Sequence, residues 1–298
     1  MILWLRSLLF YLFGFTSVTI FATAIILVIP FTSIRTRYSM GVAWCRLIQK
    51  VLYLLCGIRS QVKGLENIPK DPNKPLIVLG KHQSAWETFV YLSIFPKELC
   101  FVFKRELLYV PFFGWALASL RMIHINRGDR ENAREAVAAQ GKVVLKEGRW
   151  IAIFPEGTRT PRGSFKPYRK GGVRLAISTH TDILPVAQNS GAIWPRKTFL
   201  KRPGLITLSI GPVISVQGKT EEQLQLEVEA WIEGEMRMTC PGIFRPNAFR
   251  DNDSFNLRSG YEESTVFRRA DCSDIARGRS FANSRGSQAP RGQRTLDL

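Results

Sequence analysis

The stretch "PLIVLGKHQSAWETF" (residues 75–89) predicts the local architecture on which the rest of the chain is built. It opens with a short apolar run bounded by proline and glycine, which is typical of a buried strand. Ser84 is a favoured N-cap residue, and Glu87 stands three residues later, as in a capping box, so a helix is predicted to begin there. The stretch therefore predicts a strand, a tight turn that carries His82, and a helix.

Glu87 has two competing interpretations. Residues five apart do not share a face of an ideal helix, so His82 and Glu87 can act together only if the helix begins between them. In the first interpretation the carboxylate only caps the helix, by accepting a hydrogen bond from the backbone N–H of Ser84. In the second it reaches back to the imidazole, where a carboxylate on one ring nitrogen fixes the tautomer and raises the basicity of the other. The spacing alone leaves both open.

Short β-rich runs alternate with helical stretches along the middle of the chain. Strands are predicted at residues 75–80, 99–103, 122–125, 150–154, 183–187 and 205–211, and helices near 84–95, 112–120, 130–147, 170–180 and 221–236. This alternation predicts an α/β domain with a mixed, mostly parallel sheet flanked by helices. We place this domain at residues 59–245.

An uncharged apolar segment precedes the domain. Residues 7–34 contain no charged side chain, and about 20 apolar residues suffice to span a bilayer core. The segment is longer than the apolar core of a signal peptide, which has roughly 7–15 residues, so a retained membrane anchor is predicted. More basic residues follow the segment closely than precede it, and this positive-inside bias predicts that the domain lies in the cytoplasm.

A second, amphipathic helix is predicted after the apolar segment. Apolar residues recur at helical spacing over residues 40–58, while Arg46 and Lys50 lie on the other face. Two arrangements are open, because such a helix either packs on the domain or lies in the membrane interface. Residues 1–58 are therefore predicted to form a membrane-associated helical segment, either as a full span or as a hairpin in one leaflet.

Residues 246–298 form a third segment, which is rich in Ser, Asn, Asp, Arg and Gly and has no clear period. Such a composition buries too little apolar surface to offset the entropy of ordering, so a disordered tail is predicted. The segment holds seven acidic residues against nine arginines. This balance favours a solvated appendage over a basic tail that binds RNA or lipid.

Composition narrows the class of function. The chain has 42 Lys+Arg against 24 Asp+Glu, a formal net charge of +18, which favours a polyanion, an anionic membrane surface or a phosphorylated substrate. The 5 cysteines are scattered without a C-x-x-C pair, and only 3 histidines are present. These numbers disfavour a disulfide framework and a metal cluster, and they are typical of a reducing compartment. The sequence also lacks a P-loop and a nucleophile elbow.

The stretch "IFPEGTR" (residues 153–159) has the features of an anion site. A predicted strand ends there, Gly157 permits a close backbone approach, and Arg159 offers a planar fork of donors. A glycine turn beside an arginine suits an oxyanion or a phosphate, although such turns are common.

Two other stretches concentrate basic residues. In "FKRELLYVPFFGWALASLRMIHINR" (residues 103–127) they flank an apolar helix, and a solvated basic face is the simplest explanation. In "FKPYRKGGVRLAI" (residues 165–177), Lys166, Arg169 and Lys170 precede a predicted helix N-terminus at the glycine pair. Helix N-termini attract anions.

In order and spacing, these motifs resemble those of the glycerolipid acyltransferase family. The chain has H-x-x-x-x-acid at residues 82–87, K-x-E-L-x-x-x-P-x-x-G at 104–114, F-P-E-G-T-R at 154–159 and I-L-P-V at 183–186. The resemblance covers roughly residues 60–215. The acid of the first motif is glutamate in this chain, whereas the family usually has aspartate, which is one methylene shorter.

The resemblance implies a role for each matching residue. His82 is implied to be the catalytic base and Glu87 the acid that orients it, with no covalent acyl-enzyme, no metal ion and no cofactor beyond the acyl thioester. The apolar residues 107–120 are expected to line the acyl chain. The residues implied to bind substrate are Lys104, Arg127, Glu156, Gly157, Thr158 and Arg159.

The implied reaction transfers a fatty acyl group from a thioester, on coenzyme A or acyl carrier protein, to the sn-2 hydroxyl of lysophosphatidic acid. Its product is phosphatidic acid, made in phospholipid biosynthesis at the bacterial inner membrane, with the catalytic domain on the cytoplasmic side. The implied partners are a membrane lipid and the acyl donor, and not nucleic acid. Two alternatives stay open. One is an acyltransferase for another lysolipid, such as an ornithine lipid precursor; the other is a membrane-anchored basic module whose binding to nucleic acid or anionic lipid falls steeply with salt.

Overall fold

The computed structural model of the protein describes residues 1–71, 73–126, 128, 130–239 and 296–297. The helices are α1 (Ile2–Leu27), α2 (Ile34–Cys56), α3 (Trp86–Ile94), α4 (Phe113–Ser119), α5 (Arg130–Lys146), α6 (Gly171–Ser178) and α7 (Glu221–Thr239). The strands are β1 (Ile58–Lys63), β2 (Ile77–Gly80), β3 (Leu99–Lys104), β4 (Ile123–Ile125), β5 (Trp150–Ile153), β6 (Ile183–Gln188), β7 (Gly204–Ile210) and β8 (Leu296–Asp297).

One sheet contains all of these strands, in the order β4-β3-β5-β2-β6-β7-β1-β8. The strands from β4 to β6 are parallel, β7 runs antiparallel to β6, and β1 is parallel to β7. The prediction of a mixed, mostly parallel sheet flanked by helices is therefore confirmed. The central strands β2 and β6 are buried along their whole length, which explains their continuous apolar sequences.

β1 is a strand that the sequence prediction missed. Its residues alternate between buried positions, such as Ile58 and Val62, and exposed positions, such as Arg59 and Lys63. The strand lies near the edge of the sheet, beside β7 and the two-residue β8. A strand that is buried on one face alternates polar and apolar residues. This one is short and follows directly after α2, and its first residue, Ile58, also completed the preceding helical pattern.

The amphipathic helix α2 packs on the domain, which is the first of the two arrangements that the sequence left open. Its buried face includes Ile48 and Leu52. The Gln49 side chain donates hydrogen bonds to the Phe89 carbonyl and to the Ser93 hydroxyl of α3, at 3.3 Å and 2.8 Å. α2 is therefore part of the wall that supports α3 and the loop before it.

Within the described part of the chain, α1 is the one helix long and apolar enough to cross a membrane, with a mean hydropathy of 2.0. It also contacts the domain, since Phe10 packs edge-on against Trp194 at 5.6 Å between ring centroids. α4 packs against α1, and many large apolar side chains of these two helices and of the turns beside them are exposed. They include Leu5, Leu12, Phe15, Ile20, Leu27, Phe31, Tyr109, Val110, Phe112 and Trp115. An apolar surface of this kind supports membrane association.

The predicted disorder of residues 246–298 falls outside the described residues, except at Leu296–Asp297. These two residues form β8, antiparallel to β1, with Leu296 opposite Val62 and Asp297 opposite Gln61. These two residues lie at the free edge of β1, where unpaired backbone groups are available for such pairing. The composition of the segment does not predict this two-residue pairing, and for the other residues of the segment the disorder stays a prediction.

Lys201 is a buried cation that ties α1 to the domain. Its ammonium donates hydrogen bonds to the Tyr11 hydroxyl at 2.7 Å and to the Phe199 carbonyl at 2.9 Å, and it lies 4.3 Å and 4.6 Å from the ring centroids of Tyr11 and Trp194. No carboxylate pairs with it among the described residues. Burial therefore lowers the pKa of Lys201 to about 8.

We expect this buried ammonium to make stability rise with pH. Because the pKa of Lys201 is about 8 in the folded protein against an ordinary value of 10.5, the unfolded chain binds more protons between these two values, and the free energy of unfolding increases over that window. Chemical denaturation in detergent should show wild type gaining stability relative to Lys201→Met from pH 8 to 10.5. A difference between the two proteins that does not change with pH would contradict the prediction.

Candidate active site

The site lies where three neighbouring strands end. β2 stands between β5 and β6, and all three are parallel. The segments that follow parallel strands meet at the carboxyl edge of the sheet, where ligands bind in α/β folds. The turn that carries His82, the loop of residues 154–160 and the segment that begins at Asn189 are therefore adjacent.

His82 is fixed by contacts on its backbone and on its ring. Its backbone N–H donates to the Glu156 carboxylate at 2.7 Å, and its carbonyl accepts from the Thr160 N–H at 2.7 Å. Its ring stacks on Phe154, with 4.0 Å between ring centroids and 11° between planes. The side chain remains 15% exposed, so one edge of the imidazole is accessible while its position is constrained.

One carboxylate oxygen of Glu87 organises the turn around His82. Oε1 accepts hydrogen bonds from the backbone N–H groups of Gln83 and Ser84, at 2.8 Å and 2.7 Å. It also accepts from the Gln188 side-chain amide at 2.6 Å and from the Ser190 hydroxyl at 2.9 Å. Four donors from two separate segments therefore converge on a single oxygen, which fixes the orientation of the buried carboxylate.

The other oxygen, Oε2, faces the imidazole. It lies 3.5 Å from Nδ1 of His82, a separation at the limit for a hydrogen bond and within that of an ion pair. Both atoms are buried, and neither has another hydrogen-bond partner among the described residues. The capping interpretation is therefore confirmed on Oε1, while the orientation of His82 by Oε2 stays a prediction that this separation permits. The helix itself begins two residues later than predicted, at Trp86, whose N–H donates to the Ser84 hydroxyl.

A buried charge cluster lies directly behind His82. The Lys81 ammonium contacts the carboxylates of Glu156 and Glu233, at 2.7 Å and 2.6 Å, and all three side chains are buried. Thr160 donates its hydroxyl to Glu156 and Tyr168 donates to Glu233, each at 2.8 Å. Burial raises the pKa of Glu156, and the adjacent Lys81 ammonium opposes that rise.

Glu156 has a different position from the one the sequence predicts. The motif places it among the substrate-binding residues, yet its side chain is fully buried and both of its oxygens are bound within the protein, by Lys81, Thr160 and the His82 backbone. The loop after β5 directs the Glu156 side chain toward the protein interior, where it stabilises the turn that carries His82. The next residue, Gly157, faces the opposite side and adopts a φ of +69°.

A cavity of about 700 Å³ lies in front of His82. Of the predicted binding residues it brings together Lys104, Gly157, Thr158 and Arg159. Arg127 lies outside the described residues. The apolar part of the wall includes Phe101, Phe103, Leu107, Ile125, Val137 and Ile153. The structure therefore gathers most of the predicted site around one opening.

The predicted acyl-lining stretch is largely absent from the cavity wall. Of residues 107–120, only Leu107 lines the cavity among those that the structure describes. Tyr109, Val110 and Trp115 are exposed on the outer apolar surface instead. That this stretch lines the acyl chain stays a prediction, because beyond Leu107 it does not border this cavity. The apolar wall of the cavity comes from strands β3 and β4 and from helix α5 instead, and the sequence contains no pattern that identifies these residues.

The charged residues that line the cavity are basic. They are Lys104, Arg159, Arg169, Lys170, Arg174 and Arg196. Lys170 and Arg174 pair with Glu222 and Glu221 of α7, at 2.7 Å and 2.9 Å. Arg159, Arg169 and Arg196 have no carboxylate partner within the described residues. The cavity is therefore suited to an anion, and Arg174 and Arg196 were not anticipated from the sequence.

We expect the buried cluster to be essential for stability. Lys81→Met leaves two buried carboxylates without their cation, and breaking a buried ion pair on one side costs about 3–5 kcal/mol. Lys142→Met, at an exposed cation on α5, is the matched control and should change the free energy of unfolding by at most about 0.5 kcal/mol. Denaturant titration of both variants in detergent measures the difference. A loss below about 1 kcal/mol for Lys81→Met would show that the carboxylates are neutralised in another way.

Comparison with known proteins agrees with the resemblance of the sequence motifs. A family model described as Acyltransferase matches residues 59–189. The 1-acyl-sn-glycerol-3-phosphate acyltransferase of Pseudomonas aeruginosa is 42% identical over 241 residues, which cover 80% of this chain and 92% of that protein. The enzyme of the same name from Borreliella burgdorferi is 35% identical over 170 residues, covering 56% of this chain and 66% of that one.

The fold is also found in a solved structure. The crystal structure of the 1-acyl-sn-glycerophosphate (LPA) acyltransferase from Thermotoga maritima aligns with a TM-score of 0.66, covering 79% of this chain and 95% of that one at 24% sequence identity. Together with the order of the motifs and the position of His82, these similarities show that the chain belongs to the acyltransferase family that includes the bacterial 1-acyl-sn-glycerol-3-phosphate acyltransferases.

Proposed function

We propose that the protein transfers a fatty acyl group from an acyl thioester to the sn-2 hydroxyl of lysophosphatidic acid, giving phosphatidic acid. The names of its relatives support this acceptor. The observation that carries the proposal is the position of His82, whose Nδ1 faces Glu87 while the ring borders a cavity with basic charged residues. This is the arrangement that a base needs when it activates the hydroxyl of an anionic acceptor.

His82 is the general base of this reaction. Glu87 Oε2 faces Nδ1, which favours a proton on that nitrogen and leaves Nε2 to accept the proton of the sn-2 hydroxyl. The hydroxyl oxygen then attacks the thioester carbonyl, and the departing thiolate takes the proton back from the imidazolium. General base action of this kind accelerates a reaction by typically 10²–10⁴-fold.

The fixed carboxylate of Glu87 supplies a charge that is already in place. Its Oε1 is held by four donors, so the negative group does not have to reorient when the imidazolium forms. Preorganised charge beside a developing charge lowers a barrier because the cost of orientation is met when the protein folds. Phe154 stacks on the imidazole and constrains the plane of the ring.

The phosphate of the acceptor binds at the basic wall of the cavity. Arg159 has no carboxylate partner among the described residues, and a planar guanidinium binds phosphate through two parallel hydrogen bonds. Lys104 adds a point charge, and Gly157 and Thr158 border the same opening. The proposed role of Glu156 is to position His82 through its backbone, while a phosphate contact by Arg127 stays a prediction.

The acyl donor is a thioester of coenzyme A or acyl carrier protein, and the reaction takes place at the bacterial inner membrane, on its cytoplasmic side. The exposed apolar surface of α1 and α4 supports a membrane location. The basic residues that follow the apolar segment support the cytoplasmic side. Acyl carrier protein is an acidic carrier and coenzyme A has several phosphates. Either donor is therefore attracted to a protein with a net charge of +18.

The decisive experiment is acylation of lysophosphatidic acid by the purified full chain in detergent. We expect wild type to form phosphatidic acid and His82→Ala to lose at least about 100-fold in kcat, with a thermal melt close to that of wild type. His180→Asn is the matched control, because His180 is exposed and outside the cavity and asparagine tolerates its positive φ; this variant should keep wild-type activity.

Other outcomes of the same assay distinguish the alternatives. Acylation of an ornithine lipid precursor but not of lysophosphatidic acid would establish the other lysolipid as the acceptor. No acylation of either acceptor, together with salt-sensitive binding to anionic polymers that is indifferent to His82, would indicate a basic binding module. A folded His82→Ala protein with a tenth or more of wild-type kcat would remove His82 as the base.

Two variants of Glu87 separate the functions of its two oxygens. Glutamine keeps a carbonyl oxygen for the four donors but loses the charge that faces His82, so Glu87→Gln should lower kcat at least ten-fold, or about 1.4 kcal/mol of barrier, with little change in Tm. Aspartate keeps the charge but moves it back by one methylene, so Glu87→Asp should lower Tm more than Glu87→Gln does. Turnover and thermal melts of both variants test this. Equal kcat for Glu87→Gln and wild type would leave only the capping role.

A further inference from the structure

Arg196 borders the active-site cavity but belongs to none of the family motifs. It lies on the segment of residues 189–203 that joins β6 to β7, beyond the 59–189 region that the family model matches. Its guanidinium donates a hydrogen bond to the backbone carbonyl of Arg159, at 3.2 Å. Arg196 is therefore attached to the loop that holds the residue we assign to the acceptor phosphate.

The segment around Arg196 is fixed on both sides. On one side Trp194 is buried and packs edge-on against Phe10 of α1 and stacks on Phe89 of α3, with ring centroids 5.6 Å and 6.3 Å apart. On the other side Lys201 is fully buried against Tyr11 and Trp194. A cation that is presented from a constrained segment loses less conformational entropy when a ligand binds.

The charge of Arg196 is available to a ligand. Lys170 and Arg174, on the same cavity wall, are paired with acids of α7, whereas Arg196 has no carboxylate partner among the described residues. A guanidinium has five N–H donors, of which one contacts Arg159. A phosphate monoester carries roughly −1.5 to −2 charges at pH 7 and three acceptor oxygens, so it can bind a second guanidinium in addition to Arg159 and Lys104.

From these contacts we infer that Arg196 is a second arginine for the acceptor phosphate, acting beside Arg159 and favouring a phosphate monoester over a diester. This inference rests on the proposed function. A monoester offers two charges to the two guanidinium groups, whereas a phosphodiester headgroup has one charge and leaves one cation unmatched. Arg196 therefore determines specificity and binds substrate without taking part in proton transfer.

The test is steady-state kinetics of the full chain in detergent with lysophosphatidic acid, with lysophosphatidylglycerol as the phosphodiester acceptor, and with an acyl thioester. Arg196→Gln removes the charge, and Arg196→Lys keeps a point charge without the planar fork. Lys197→Gln is the matched control, because Lys197 is the adjacent exposed cation and does not line the cavity. Thermal melts check that each variant is folded.

We expect Arg196→Gln to raise KM for lysophosphatidic acid at least ten-fold, with kcat and the KM for the thioester within two-fold of wild type. Arg196→Lys should be intermediate, and Lys197→Gln should match wild type. The preference for lysophosphatidic acid over lysophosphatidylglycerol, as a ratio of kcat/KM values, should fall in Arg196→Gln. If Arg196→Gln does not fold, the KM of Arg196→Lys decides the question.

Two results would overturn the assignment while leaving the proposed function intact. One is an unchanged KM for lysophosphatidic acid in the Arg196 variants of an active enzyme. The other is a rise in the thioester KM alone, which would place Arg196 at the phosphates of the donor. If wild type forms no phosphatidic acid, the proposed function fails first, and the assignment of Arg196 to its acceptor fails with it.

Discussion

The active site depends on one buried cation, the Lys81 ammonium, which is held between the carboxylates of Glu156 and Glu233. Charges in a protein interior must be paired, because an unpaired buried charge is costly. The pairing brings together the end of β2, the loop after β5 and helix α7. His82 is the next residue after Lys81, so a constraint that arises in the interior fixes the backbone of the proposed base.

A second constraint works from the other side of the turn, through Glu87. One of its oxygens accepts hydrogen bonds from backbone and side-chain donors, and the other faces the imidazole. Helix capping and the proposed orientation of His82 are compatible in this residue. A carboxylate that has one oxygen fully engaged has one defined direction left for its charge, and this direction is toward the imidazole.

Much of the fold and the centre of the site can be predicted from the sequence, because they follow from local patterns. The apolar runs of β2 and β6 and the spacing of His82 and Glu87 are examples. Other features depend on partners that are distant in the chain. Lys81 resembles a solvated lysine in a turn until Glu233, 152 positions further on, is brought beside it. The inward direction of Glu156 and the position of Arg196 likewise arise from tertiary packing and have no local signature.

The contact between α1 and the segment of residues 194–201 has a consequence for how such proteins diverge. Phe10 and Tyr11 of the apolar helix complete the surroundings of Trp194 and Lys201, so α1 packs on the segment that also carries Arg196 of the cavity wall. A helix that only tethered its domain would be interchangeable between relatives. Because α1 also packs on the β6–β7 segment, we expect chimeras that exchange it to need matching residues in that segment, so that the two parts coevolve.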